Sequence, residues 1–422
     1  MNRYQLTSAA GAVVMMGLAW LFCKNRRDVS PRTIFWSVAL QFAFALLILK
    51  TGVGLRFFSG VGGAVNKLLD FQTDGARFVF GNLAVPLGRP GSMGVFFAFQ
   101  VLPTIVFVST LMSVLYYLGV MQFVVRGFAK LMAWTCRVSG AESLSASASI
   151  FMGQTEAPLL VKPYIAEMTE SELLTIMISG MAHISGGLIV IYGGMLAAYF
   201  PDASGHLLAA CVMATPATFL ISKLMVPETG VPKTMGRLSV ERIEDHVNVI
   251  DAAASGAAMG MQLALNVAAM LVAFMAILAM ANWGLHHLCG CFGHPEIGFE
   301  QVLGWVFSPV AWIMGVPWPE CPNIGRLLGE KTFFNEFVAY LDLSSYAAAH
   351  GGAAALSHRA WVICIQALCG FSNFLSIAIQ IGGIGPMAPT RKKDLARLGM
   401  KALIGGSLAC FSTACIVGII VP

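Results

Sequence analysis

Gly153-Gln154-Thr155-Glu156-Ala157-Pro158 sets an amide, a hydroxyl and a carboxylate in a row between two apolar runs. Upstream, Leu144 to Met152 is small and apolar with serines, and downstream, Leu159 to Met168 is apolar again but carries Lys162 and Pro163. Neither half reaches the roughly 20 apolar residues that cross a bilayer. Two short half-spans meeting at glycine and a polar tip predict a re-entrant hairpin, whose irregular backbone is tolerated only against protein or a water-filled cavity. An ionisable side chain in such a place marks a candidate site.

Composition makes the membrane setting general. The chain is 57% hydrophobic and only 11% charged, with mean hydropathy +0.75, against roughly 25% charged residues in a soluble domain. This is an all-α polytopic membrane protein. The net charge of +5 comes from loop clusters rather than a lysine- or arginine-rich run, so it reads as cytoplasmic loop bias and no nucleic-acid partner is expected.

A second stretch of the same kind is Gly329-Glu330-Lys331-Thr332-Phe333-Phe334-Asn335-Glu336. Each is followed by a long apolar segment broken by glycine and small polar residues, at Gly180 to Gly187 and at Gly370 to Ser376. Two halves with matching interrupted segments point to a transporter built from inverted repeats, with substrate near the midplane.

Eight spans and two re-entrant hairpins then fit one topology. The apolar run Leu6 to Cys23 ends directly in Lys24, Arg26 and Arg27, which reads as an uncleaved first span with the N-terminus outside. Residues 1–140 form a scaffold of spans one to three with interfacial amphipathic helices. One of these is Met121 to Arg137, with Arg126, Lys130 and Arg137 expected opposite Phe123, Phe128 and Leu131. Residues 141–225 hold the first repeat, with hairpin 1 and spans four and five. Residues 226–300 hold a charged cytoplasmic loop, span six and an outer loop. Residues 301–422 hold the second repeat, with hairpin 2 (about Gln301 to Asp342) and spans seven and eight, ending outside. The basic loops around Arg26 and Arg391 both fall inside.

The outer loop His286-His287-Leu288-Cys289-Gly290-Cys291-Phe292-Gly293-His294 has donor types a transition metal uses. It is read as a plain connection, with a disulfide from Cys289 to Cys291 or Cys321 left open, and neither a metal nor a cofactor is expected.

GQTEAP, NEFVAY and CGFSNF, in that order, resemble the bacterial concentrative nucleoside transporter family, as do Gly75 to Gly81 and Ala264 to Val267. The resemblance covers nearly the whole chain. It implies secondary active uptake of nucleosides such as uridine and adenosine across the bacterial inner membrane, by elevator-like movement within a lipid-embedded homotrimer. It implies substrate contacts from Gln154, Thr155 and Glu156 to the base and from Glu336, Asn373 and Ser376 to the ribose, with the Phe371 ring against the base. A nucleoside is uncharged, so groups that both donate and accept suit it.

The coupling-ion region implied by the resemblance comprises Ser149, Met152, His183 and Ile184. Here the chain departs from the sodium-coupled pattern, which has asparagine in place of Ser149 and serine or threonine in place of His183. Proton-coupled members carry serine at the first position. Proton coupling is therefore expected ahead of sodium coupling. A reading of another class, an intramembrane enzyme using Glu156 and Glu336 as acid and base, lacks a nucleophile with its base, a metal motif in a span and a phosphate loop. A passive channel is a third reading.

Overall fold

Asn2 accepts from Gln5 N while the Gln5 side chain returns to Asn2 N, and this reciprocal cap starts the first helix of an all-helical chain. In a computed structural model, residues 2–23, 25–85, 90–94, 96–236, 246–291 and 298–422 are described. The first crossing is α1 (Arg3–Leu21) and the second α2 (Pro31–Lys50), opened by the Ser30 cap and a proline at its first turn. α3 (Gly52–Phe80) follows, then a one-turn α4 (Phe97–Gln100) leading into the third crossing, α5 (Leu102–Tyr117). α6 (Val120–Cys136) ends where Arg137 takes a left-handed conformation, φ 53°.

Hairpin 1 descends through α7 (Gly140–Ala148), turns at residues 149–156 and returns through a 3-10 turn, Ala157–Val161, and the short α8 (Lys162–Ile165). Span four is split into α9 (Glu170–Ala182) and α10 (Gly186–Leu196), and span five is α11 (Ala203–Met225). Span six is α12 (Val249–Gly290), whose 42 residues make a rod about 63 Å long at 1.5 Å per residue. α13 (Phe299–Ile313), α14 (Cys321–Phe333) and α15 (Glu336–Ala349) come next. Span seven is split into α16 (His358–Leu368) and α17 (Phe374–Ile384), and span eight is α18 (Lys392–Ile420). Among the described residues, seven helical segments are long and apolar enough to cross a membrane. The eighth crossing is the pair α16 and α17, each too short alone.

Burial separates the spans into two sets. In α11, 89% of the apolar window is buried inside the chain, against 19% in α12. The buried set is α9, α10, α11 and α18, around which α1 and α2 pack from outside. α12 instead lies along α5, with Ser113 Oγ donating to Ala252 O at 2.8 Å.

Several sequence expectations are corrected. Hairpin 2 is α14 and α15 with its tip at Phe334 and Asn335, not a unit starting near Gln301. The preceding α13 is a separate helix lying antiparallel on α14. The contact is so close that a Cβ at Gly325 would fall 2.6 Å from Gly304 O. On α6 the buried face is Met121, Val125, Ala129 and Met132, while Phe123 and Trp134 are exposed beside Arg126 and Lys130. The expected opposition of aromatic and basic residues therefore holds only for Phe128, which turns onto Phe44 of α2 with ring centroids 6.3 Å apart; Phe123 and Leu131 are exposed, because aliphatic residues and Ala129 form the rest of the buried face. The cysteines are all free. Cys321 is buried with its thiol against Val316 O and Pro317 O, and neither disulfide left open by the sequence is formed. His286, His287, Cys289 and Cys291 close α12, whereas Phe292, Gly293 and His294 lie outside the described residues, as does Arg237 to Asp245 of the charged loop.

The base of hairpin 1 is held by charge. Lys223 of α11 sits 2.7 Å from Glu142 Oε2, with side chains 7% and 1% exposed, and also donates to Ser171 Oγ at 2.9 Å. Glu142 and Glu172 each close a capping box, at Ser139 and Thr169, at the starts of α7 and α9.

Candidate functional site

Three half-helices start inside the molecule, and their caps build the site. Asn335 accepts from Val338 N at 2.9 Å and starts α15, which puts Glu336 in its first turn. Asn373 accepts from Ser376 N at 2.9 Å and starts α17. α10 starts at Ser185, where Gly186 N donates to Phe151 O of hairpin 1 at 2.9 Å. A helix N-terminus carries partial positive charge, so three such ends give a polar locus inside an apolar protein.

The side chains form one connected line. Gln154 Nε2 donates to Ser376 Oγ at 3.1 Å, and Asn373 Nδ2 donates to Glu336 Oε2 at 3.2 Å. Tyr192 of α10 donates its hydroxyl to Glu336 Oε1 at 3.0 Å. Hairpin 1, hairpin 2 and both broken spans thus meet through five side chains, all buried. Gln154 Oε1 has no hydrogen-bond partner among the described residues, so an acceptor remains for a bound molecule's donor.

The other expected site residues stand at the edge of this line. Thr155 packs onto α17 so closely that a Cβ at Gly383 would lie 2.3 Å from Thr155 Cγ2, and only glycine admits the hairpin tip there. Glu156 is exposed, and its Oε2 accepts from Gly153 N at 3.0 Å, closing the tip on itself. Phe371 is half-buried at the break of span seven, its N donating to His183 O at 3.3 Å. The two helix breaks are therefore bonded to each other.

The expected coupling-ion residues are engaged with protein. The Ser149 hydroxyl turns back onto Ser145 O at 3.0 Å. His183 Nδ1 lies 2.7 Å from Ser179 O and Nε2 3.1 Å from Thr215 Oγ1. A carbonyl only accepts, so Nδ1 carries the proton and the neutral ring accepts from Thr215. Ile184 is buried, its carbonyl receiving the Cys211 thiol at 3.6 Å, and Met152 is half-buried. Among the described residues no group of three or more His, Cys, Asp or Glu could hold a metal ion.

Two residues were missed. Tyr192 is the single polar side chain of α10, where a tyrosine in an apolar run reads as core; it stacks on Tyr340 with ring centroids 4.3 Å apart. Lys331, one of the largest fully buried side chains, donates to Ala367 O at 2.7 Å near the end of α16. There a cation meets the negative end of a half-helix.

Residues 206–418 match the family described as Na+ dependent nucleoside transporter C-terminus. Residues 10–83 match the corresponding N-terminus, and residues 98–199 match the one described as nucleoside recognition. Solute carrier family 28 member 3 of Mus musculus is 41% identical over 430 residues, covering 100% of this chain and 59% of that protein. An uncharacterized transporter of Haemophilus influenzae is 42% identical over 422 residues, covering 99% of this chain and 98% of that one. The chain thus spans about three fifths of the mammalian relatives and nearly all of the bacterial one. Among solved structures, CNTnw in an inward-facing substrate-bound state superposes with a TM-score of 0.89 at 39% identity, covering 99% of this chain and 97% of that one. A doubly substituted form of CNTnw in an outward-facing state gives 0.92 at 40% identity, covering 99% of each chain. These relatives are transporters, not enzymes, and the acid and base reading of Glu156 and Glu336 is set aside.

Proposed function

The chain belongs to the concentrative nucleoside transporter family, and from that premise we propose that it takes up nucleosides by secondary active symport across the bacterial inner membrane. The observation that carries the reading is the line Gln154–Ser376 and Asn373–Glu336–Tyr192. It joins both hairpin tips and both broken spans through groups that donate and accept, which suits an uncharged solute with many hydroxyls. Gln154, Thr155 and Glu156 take the base, with the Phe371 ring against it. Glu336, Asn373 and Ser376 take the ribose hydroxyls.

The moving part comprises both hairpins with the buried spans, carried past a scaffold of the outer spans in an elevator-like cycle. The assembly is a homotrimer in lipid, with both termini outside. The coupling ion is a proton, because the side chains at 149 and 183 are turned onto Ser145, Ser179 and Thr215 and neither offers an amide or a second hydroxyl to an ion. Sodium is the alternative, favoured by the description of the matched family.

Uptake of radiolabelled uridine and adenosine into proteoliposomes tests this, with an inward pH gradient and no sodium, then sodium and no pH gradient. Accumulation above the external concentration on the pH gradient is expected. Accumulation on sodium alone removes proton coupling, and equilibration without accumulation makes the protein a passive channel.

A further inference from the structure

Hairpin 2 holds a second set of ionisable side chains, apart from the line around Glu336. Arg326 and Glu330 lie one turn apart on α14, and Asp342 faces them from α15. Arg326 Nη1 is 2.6 Å from Asp342 Oδ2 and 3.7 Å from Glu330 Oε1. The Glu330 side chain is 3% exposed and its Oε2 has no hydrogen-bond partner, while the Asp342 side chain is 29% exposed. The two carboxyl groups thus flank the same guanidinium nitrogen.

Charge does not balance there. Two carboxylates against one guanidinium leave a negative charge in excess, and α13 adds Glu300 to the same surroundings. Among the described residues, the neighbouring cations are engaged elsewhere: Lys331, the next residue on α14, is turned to Ala367 O, and Arg359 of α16 is held by Gly315 O and Ser8 Oγ. The Tyr346 ring lies 5.9 Å from the Arg326 guanidinium and brings no charge. Two carboxylates set around one guanidinium, one of them buried, titrate as a pair and share one proton readily.

We propose that Glu330 and Asp342 form a proton-binding pair in hairpin 2 and carry the coupling proton. A hydronium at the more open Asp342 delivers the proton. An O–H bond forms on Glu330 and donates to the Asp342 carboxylate, which stays paired with Arg326. Release on the far side breaks the same O–H bond and restores the excess charge. Asp342 is about 9 Å along α15 from Glu336 at 1.5 Å per residue, so protonation adjusts the helix that presents Glu336 without occupying the nucleoside site. This rests on the reading of the protein as a proton-coupled nucleoside symporter.

Glu330→Gln and Asp342→Asn, reconstituted full-length in proteoliposomes, test it with three readouts: nucleoside counterflow, accumulation on a pH gradient, and acidification of trapped pyranine when uridine is added. Both variants are expected to keep counterflow and uridine-induced thermal stabilisation, and to lose accumulation and pyranine acidification. Accumulation and acidification in Glu330→Gln equal to wild type overturn the proposal alone. Loss of counterflow and thermal stabilisation in both variants makes the pair structural and also overturns it. Absence of counterflow in the wild-type protein removes the transport reading, and the proton pair with it.

Discussion

Asn373 Nδ2 reaches Glu336 Oε2 at 3.2 Å, while Asn373 Oδ1 holds Ser376 N at 2.9 Å. One asparagine therefore caps the second half of span seven and fixes the carboxylate of hairpin 2. Position and chemistry are set by the same side chain, which is why substitutions here act on binding through geometry.

Glu336→Gln is expected to weaken nucleoside binding strongly in purified, inserted protein. Tyr192 and Asn373 both donate to this carboxylate, and an amide turns one of those contacts into donor facing donor. A charge-assisted contact of roughly 1.5 to 3 kcal/mol corresponds to roughly 10- to 150-fold in affinity. Isothermal titration with uridine checks it, and affinity equal to wild type refutes it.

Tyr192→Phe keeps the stack on Tyr340 and removes only the hydroxyl. Affinity for ribonucleosides should fall about fivefold, matching a net hydrogen bond of about 1 kcal/mol, with thermal stability unchanged. Unaltered affinity in the same titration would show that Asn373 alone suffices to orient Glu336.

Phe371→Ala should weaken purine and pyrimidine nucleosides alike, by about the 0.5 to 1.5 kcal/mol that aromatic pairing adds beyond buried area. Competition of several nucleosides against labelled uridine measures it. A loss confined to one base would mean that the ring selects rather than supports.

Lys223→Met should destabilise the protein severely, by roughly 3 to 5 kcal/mol, because it leaves Glu142 buried and unpaired. Glu142→Gln combined with Lys223→Met should recover much of the loss. Melting of the detergent-solubilised variants decides the matter, and additive losses in the double variant would show no coupling.

Ser149→Asn with His183→Ser should move the driving force from protons toward sodium, as it restores an amide oxygen and a hydroxyl in place of an imidazole. Accumulation in proteoliposomes under each gradient reads it. Unchanged ion dependence would put the difference elsewhere.

What was legible in the chain was polarity out of place. Gln154, Glu336, Asn373 and Ser376 interrupt apolar runs, and the cost of such groups in a membrane gives them away. Tyr192 escaped because its ring belongs in an apolar helix and only its hydroxyl reaches Glu336. The start of hairpin 2 was misread because α13 is apolar, too short to cross, and followed within a few residues by α14, so nothing local tells an arm from a neighbour. Glu330 passed unnoticed for the opposite reason: six residues from Glu336 in sequence, it looked like part of one polar tip, whereas helix geometry turns it toward Asp342.

Lys331 and Glu336 stand five positions apart on either side of a hairpin tip, one buried cation and one buried anion. Lys331 is spent on Ala367 O at the end of α16, whereas Glu336 is held by Tyr192 and Asn373 inside the line that joins the hairpins. A solute with a phosphate attached would set its charge against the Glu336 carboxyl, with Lys331 turned away, and like charges repel. If the protein works as proposed, uptake assays should find it sorting cargo by valence, with the nucleoside carried and its nucleotide left outside.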